Sequence, residues 1–178
     1  MIKMNRTEEP TFLKENKKKW TKKYIKTGKW NSKWYGKSRE LLIILKKTTD
    51  FHCAFCDDVL SPKGSAKGQI EHFRPKEKYK LLSFSWINLF PICEMCNSTK
   101  SDNFDILLLR SDSQNFDFAN WFYFDLKTFE IKPNKLNSEW KRAEKTIEIY
   151  GFNKQEKLER RAFVFENREQ NLSAFRFM

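Results

Sequence analysis

All four cysteines of this chain fall into two matching pairs, Cys53-Ala-Phe-Cys56 and Cys93-Glu-Met-Cys96, and this constrains the fold more than any other feature. A Cys-x2-Cys turn presents two thiolates from one knuckle, and two knuckles complete a tetrahedral shell with sulfur about 2.3 Å from the metal. The spacing, Cys-x2-Cys-x36-Cys-x2-Cys, is wider than that of a compact ribbon. The 36-residue insert is therefore expected to fold as an element in its own right. Four thiolates leave no open position on the ion, so the zinc expected here is structural. Neither pair lies in a thioredoxin-like βαβ pattern, which argues against a redox pair. His52, directly before Cys53, reads as an ordinary knuckle residue, with a place beside the zinc as the alternative.

At 178 residues the chain can hold one domain with a real core, and seventeen Phe and six Trp supply apolar surface. No apolar run approaches the eighteen or so residues that span a bilayer. The N-terminal region is basic without a hydrophobic signal core, so a cytoplasmic location is expected. In that compartment paired cysteines bind metal more often than they form disulfides.

The formal net charge is +12, and most of it sits at one end. Residues 1–50 carry fifteen Lys or Arg against five Asp or Glu. Trp20, Tyr24, Trp30, Trp34 and Tyr35 are spread through this basic segment. Such a segment suits salt-dependent contact with nucleic-acid phosphates. It equally suits a solvated helix face whose aromatics turn inward. A second aromatic cluster, Phe116, Phe118, Trp121, Phe122 and Phe124, reads as core rather than as a base-stacking surface.

Local signals predict an α+β chain, rich in helix, with a small β component around the cysteines. Glu8-Glu9-Pro10 introduces a helix over about 11–26 that ends near Gly28. A second helix, from about Gly36 to Lys47, carries Leu41, Leu42, Ile44 and Leu45 as a buried stripe. Ser61-Pro62-Lys63-Gly64 marks a loop, and Gln69–Phe73 a short strand. Leu81–Ile92 reads as loop and strand running into a helix from Cys93 to about Asp102. Trp121–Asp125 and Thr128–Lys132 suggest a hairpin closed around Leu126-Lys127. Asn137 or Ser138 is placed to cap a helix ending at Gly151, and Asn153 to cap a last helix reaching about residue 172.

Chemistry-bearing residues lie inside the cysteine frame. Hydrolysing a phosphodiester requires a base for water and a cation for the transition state. Of two histidines in the chain, His72 follows Glu71 on the predicted strand. Strand alternation sends these two side chains to opposite faces, so bringing Glu71 to the same metal needs a twist or a bend. Asn97 directly follows Cys96, so the second knuckle fixes it at a helix start. Its amide oxygen, with a carboxylate and retained waters, is the donor type that magnesium prefers. Asn88 could orient the imidazole. Taken singly, His72, Asn88 and Asn97 read as a structural histidine and two turn formers; the ordered set favours a site.

The run Cys53-x2-Cys56, Ile70-Glu71-His72-Phe73-Arg74-Pro75-Lys76, Trp86-Ile87-Asn88-Leu89 and Cys93-x2-Cys96-Asn97-x2-Lys100 resembles a four-cysteine HNH endonuclease of the ββα-metal type. The resemblance implies His72 as general base, Asn88 as the residue positioning it, and Asn97 as a ligand of the catalytic divalent ion, magnesium or another. Glu71 stands where the family more often has Asp and is implied as a second ligand. Arg74, Lys76 and Lys100 match basic positions implied to contact nucleic acid, with neutralisation of Glu71 or Asp102 the other role open to Arg74 and Lys100.

A narrower resemblance, to the PtuB-like HNH subunits of Septu-type and retron-associated anti-phage systems, extends into the flanks through Glu9-Pro10-x2-Leu13 and Gly151-Phe152-Asn153. It implies an ATPase partner of PtuA type and no membrane, and against it the chain reads as short at its C-terminus. The implied layout is a basic helical arm over 1–49, an HNH core with its zinc site over 50–104, and a hairpin with C-terminal helices over 105–178. These last elements pack on the core or on a partner. The implied function is metal-dependent cleavage of nucleic acid, DNA favoured. The alternatives are a non-catalytic zinc-stabilised binding module and an effector cleaving tRNA or other RNA.

Overall fold

A computed structural model describes residues 1–30, 32–60 and 68–167; the loop expected over Ser61–Gly64 and the end of the last helix at 172 lie outside them. The fold is α+β, as expected. Helix α1 (Thr11–Thr27) begins after Pro10, which occupies the cap position, so Glu8 and Glu9 precede the helix rather than filling its first turn. It ends at Gly28, whose φ of 64° is left-handed and whose N–H closes on the Tyr24 carbonyl. Helix α2 (Ser32–Lys47) starts a turn earlier than its aliphatic stripe suggests.

The two helices bury matching stripes: Leu13, Trp20 and Tyr24 on α1, and Trp34, Leu41 and Leu45 on α2. Their aromatics converge on Phe84, which is fully buried. Trp30 stacks on its ring at 4.6 Å, while Trp20 and Trp34 meet it edge-on at 5.6 and 5.3 Å. Most aromatics of the basic segment are therefore inward-facing. Tyr35 remains exposed.

Strands β1 (Gly68–His72) and β2 (Leu89–Cys93) pair antiparallel, Gly68 opposite Cys93 and His72 opposite Leu89. Every residue of β2 is buried. Helix α3 (Glu94–Lys100) follows at once, with Cys93 as its N-cap, so the centre of the chain is a β-β-α unit. The first knuckle is sewn to β2 by the Ala54 N–H on the Pro91 carbonyl at 3.0 Å. Upstream, Arg6 reaches the Asp112 carboxylate at 2.5 Å and the Trp86 and Leu89 carbonyls at 2.8 and 3.0 Å. Arg110 holds the same carboxylate from the other side.

After a short turn of helix α4 (Phe118–Trp121), strands β3 (Phe122–Phe124) and β4 (Ile131–Pro133) form the second hairpin. Its loop is longer than the expected two residues. The Asp125 carboxylate accepts from the Lys127 and Thr128 N–H groups, and Phe129 takes a left-handed φ of 57°, so residues 125–130 form the turn. Helix α5 (Trp140–Tyr150) ends at left-handed Gly151, as expected. Neither expected asparagine is a helix cap. Glu139 precedes α5, and Lys154 precedes α6 (Gln155–Glu166). Asn153 instead exchanges two 2.9 Å bonds with the backbone of Ile131, which makes it a brace for β4.

Phe116 and Phe122 are core residues, and Phe118, Trp121 and Phe124 pack against the core. Tyr150 stacks on Phe55 at 3.9 Å, placing the end of α5 against the first knuckle. Among the described residues no helix is long and apolar enough to cross a membrane.

Candidate functional site

The four cysteine sulfurs converge, all within 4.8 Å of one another and none in a disulfide. Sulfurs about 2.3 Å from a tetrahedral ion stand about 3.8 Å apart, so the cluster fits a zinc ion with little adjustment. Cys56 and Cys93 approach to 3.5 Å, and the Cys96 N–H points at the Cys93 sulfur at 3.4 Å. Burial, then the neighbouring sulfurs, push the Cys96 thiol well above its ordinary value. A divalent cation is what allows such a crowd of sulfurs to ionise. The cluster is compatible with zinc by count, donor type and spacing.

Lys157, on α6, was not foreseen as part of this centre. Its ammonium is 3.0 Å from the Cys96 sulfur and 2.7 Å from the Tyr150 carbonyl, and the residue is buried. Burial alone would lower it, yet Cys96 and Cys56 hold it above its ordinary value. Four thiolates around one divalent ion carry an excess of two negative charges, and Lys157 offsets one of them. No spacing in the sequence announces a ligand partner 61 residues from Cys96. Lys157→Met is expected to weaken zinc binding about 10- to 100-fold, the usual effect of removing such a supporting partner. Chelator competition against the parent protein measures it. His52 bonds within its own knuckle, to the Asp57 carbonyl at 2.9 Å and the Asp57 carboxylate at 3.1 Å.

The β1 strand divides the remaining candidates by alternation. Gln69 and Glu71 meet α3: the Asn97 side-chain N–H donates to the Gln69 amide oxygen, and Glu71 pairs with Lys100. Gln69 is a further residue that the sequence did not single out. By engaging the Asn97 nitrogen it leaves the Asn97 amide oxygen as the atom able to ligate a cation.

Glu71 and Lys100 are both buried. Burial lifts the Glu71 carboxyl to about 7 against the opposing pull of Lys100. Lys100 also donates to the His72 carbonyl at 3.3 Å, so of its two readings the position matches neutralisation of Glu71.

His72 points to the loop after β1. Its Nε2 lies 2.9 Å from the Ser83 carbonyl. Since a carbonyl only accepts, Nε2 carries the proton and Nδ1 presents a lone pair. Burial lowers the imidazole to about 4, so it is neutral near pH 7. Trp30 meets its ring edge-on at 5.7 Å.

Asn88 does not touch the imidazole; it acts on the loop that holds it. Its Oδ1 accepts the Arg74 N–H at 2.8 Å, and its Nδ2 donates to the Arg74 and Leu82 carbonyls at 3.0 and 3.2 Å. Leu82 neighbours Ser83, so Asn88 fixes the carbonyl on which His72 is aligned. Asn88→Ala strands these buried groups at a cost of roughly 2–3 kcal/mol. It is expected to lower the thermal midpoint and to broaden the His72 ring resonances by NMR.

The other two basic candidates differ in placement. Arg74 lies over the Tyr79 and Phe104 rings at 5.4 and 5.3 Å. Lys76 lies 5.7 Å from the Trp30 ring, on the ring that also meets His72.

No family model matches the chain. Over 100 residues, 56% of this chain, it is 34% identical to Septu protein PtuB of Bacillus thuringiensis, and the match covers 37% of that protein. Over 95% of its length it is 26% identical to Septu protein PtuB of Bacillus mycoides (strain KBAB4), covering 68% of it. The chain thus spans little more than a third of the first relative and about two thirds of the second. The chain is similar to two Septu proteins PtuB, over just over half of its length in one case and nearly all of it in the other.

Proposed function

We propose that the chain is a metal-dependent HNH endonuclease that hydrolyses phosphodiester bonds, DNA favoured, as the nuclease subunit of a Septu-type anti-phage system with an ATPase partner. One observation carries the reading: a neutral histidine aligned on the Ser83 carbonyl ends the first strand of a β-β-α unit whose helix bears Asn97. The similarity to Septu protein PtuB supports the defence context.

In this reading water gives its proton to Nδ1 of His72, while the Ser83 carbonyl holds the ring through Nε2. Asn97, through its amide oxygen, and Glu71 would hold the divalent ion, which supplies positive charge to the phosphorane and the leaving oxygen. Glu71 pairs with Lys100, so as a ligand its carboxylate would be shared between that ammonium and the ion. Asn88 keeps the loop in register, and the zinc centre shapes the site without entering the chemistry.

Purified protein, alone and after co-expression with the product of the neighbouring gene, is incubated with plasmid and with total tRNA, with and without magnesium. Magnesium-dependent plasmid cleavage is the expected result. Cleavage confined to tRNA would move the substrate to RNA. Binding without cleavage in every arm would make the chain a zinc-stabilised binding module.

A further inference from the structure

Helix α1 presents Lys18, Lys22 and Lys26 at four-residue intervals, which places them on one face about 6 Å apart along the axis. All three are exposed. With Lys17 and Ile25 they line one wall of a groove of about 570 Å³, whose other wall is Leu81, Phe84 and Ser85. Four lysines line it and no carboxylate does. Lys17 is paired with Glu9 at 2.6 Å, whereas none of the other three is in an ion pair among the described residues. Uncompensated like charges in a row raise the local potential and await an anionic occupant.

We propose that this groove binds the sugar-phosphate backbone of one nucleic-acid strand and leads it toward His72; the second half of the statement rests on the nuclease reading above. Charge complementarity selects a polyanion, and the regular spacing of the lysines suits a regularly spaced one. The groove is linked to the site by ring contacts. Phe84 forms its wall and stacks on Trp30, and Trp30 meets the His72 ring, with Lys76 beside the same tryptophan. Because Trp20, Tyr24 and Trp34 are spent in the core around Phe84, the groove has no row of rings on which bases could stack. Binding is therefore through phosphates and independent of sequence.

The test uses the full chain carrying His72→Ala, so that cleavage does not disturb the measurement. Fluorescence anisotropy is read with a labelled single-stranded oligonucleotide and with its duplex, across a salt series. Adding Lys18→Glu, Lys22→Glu and Lys26→Glu should weaken binding at least about tenfold. It should also flatten the slope of log K against log salt by about two to three, near 0.7–0.9 per lost phosphate contact.

A control triple of the same charge change on exposed lysines elsewhere, Lys127→Glu, Lys135→Glu and Lys141→Glu, should cost less than about threefold. Loss confined to one of the two oligonucleotide forms supports the groove and names the form it takes. Unchanged binding by the groove triple, or equal loss in both triples, overturns it. Unchanged zinc content and circular dichroism, with a Lys→Gln triple as the milder set, exclude misfolding. A parent protein that never cleaves, yet loses binding only with the groove triple, removes the nuclease reading and leaves the groove standing.

Discussion

His72→Ala should lower phosphodiester cleavage by about two to four orders of magnitude, the range a positioned general base contributes. Fold and zinc content should stay intact. The expectation follows from the tautomer rather than from the residue type alone. With Nε2 donating to the Ser83 carbonyl, the only lone pair on the ring is at Nδ1, and burial keeps that nitrogen unprotonated at neutral pH. Alanine removes the proton acceptor and leaves the Ser83 carbonyl without its partner, a structural cost of about 1–3 kcal/mol. That cost is too small to disturb the four-cysteine cluster, which is built from different residues.

The assay compares single-turnover cleavage of plasmid by parent and variant at matched zinc stoichiometry. Cleavage retained at the parent rate would remove His72 from the mechanism and make it a structural histidine of the β1 end. Loss of cleavage together with loss of zinc would show a folding defect instead, and His72→Gln, which can still donate toward Ser83, separates the two.

What could be read from the sequence were features with a fixed local geometry. Matched Cys-x2-Cys pairs specify a shared centre because a knuckle has one way to present two sulfurs. Gly28 and Gly151 specify helix ends because a left-handed residue is cheapest as glycine. The small sheet around the cysteines was legible from the strand signal at Gln69 and the apolar run into Cys93.

What could not be read depends on partners brought together by the fold. The Asp125 side chain captures its own turn and lengthens the second hairpin. Asn153 has the composition of a cap but finds the Ile131 backbone before a helix can use it. Lys157, Gln69 and the Ser83 carbonyl enter the site only through packing, from positions with no motif spacing to the residues they serve. For Lys100 the motif left two readings open, phosphate contact or neutralisation of Glu71 or Asp102, and only the fold, which buries it against Glu71, chooses between them.

The Cys96→Ser protein should lose its zinc and, with it, cooperative folding of residues around both knuckles. Binding free energies of structural zinc sites are of order 10–16 kcal/mol, comparable to the whole stability of a typical domain. A serine oxygen is a poor replacement for a thiolate at this ion. Position matters here as much as chemistry. Cys96 is fully buried, its N–H is committed to the Cys93 sulfur, and Lys157 is held against it from α6. Removing its sulfur unties α3 from the first knuckle and leaves the buried Lys157 ammonium without its anion.

The knuckle in turn carries Ala54, bonded to β2, and Phe55, stacked on Tyr150, so the loss propagates into the hairpin that bears His72 and into α5. Inductively coupled plasma analysis should find no zinc in the variant, far-UV circular dichroism should be reduced, and added zinc should not restore it. Cys56→Ser, at the less buried ligand, should give a weaker form of the same defect. A Cys96→Ser protein that is soluble, metal-free, fully folded and active would mean that the apolar core around Phe55, Phe90 and Tyr150 alone holds the frame, and the zinc would then be dispensable to the fold.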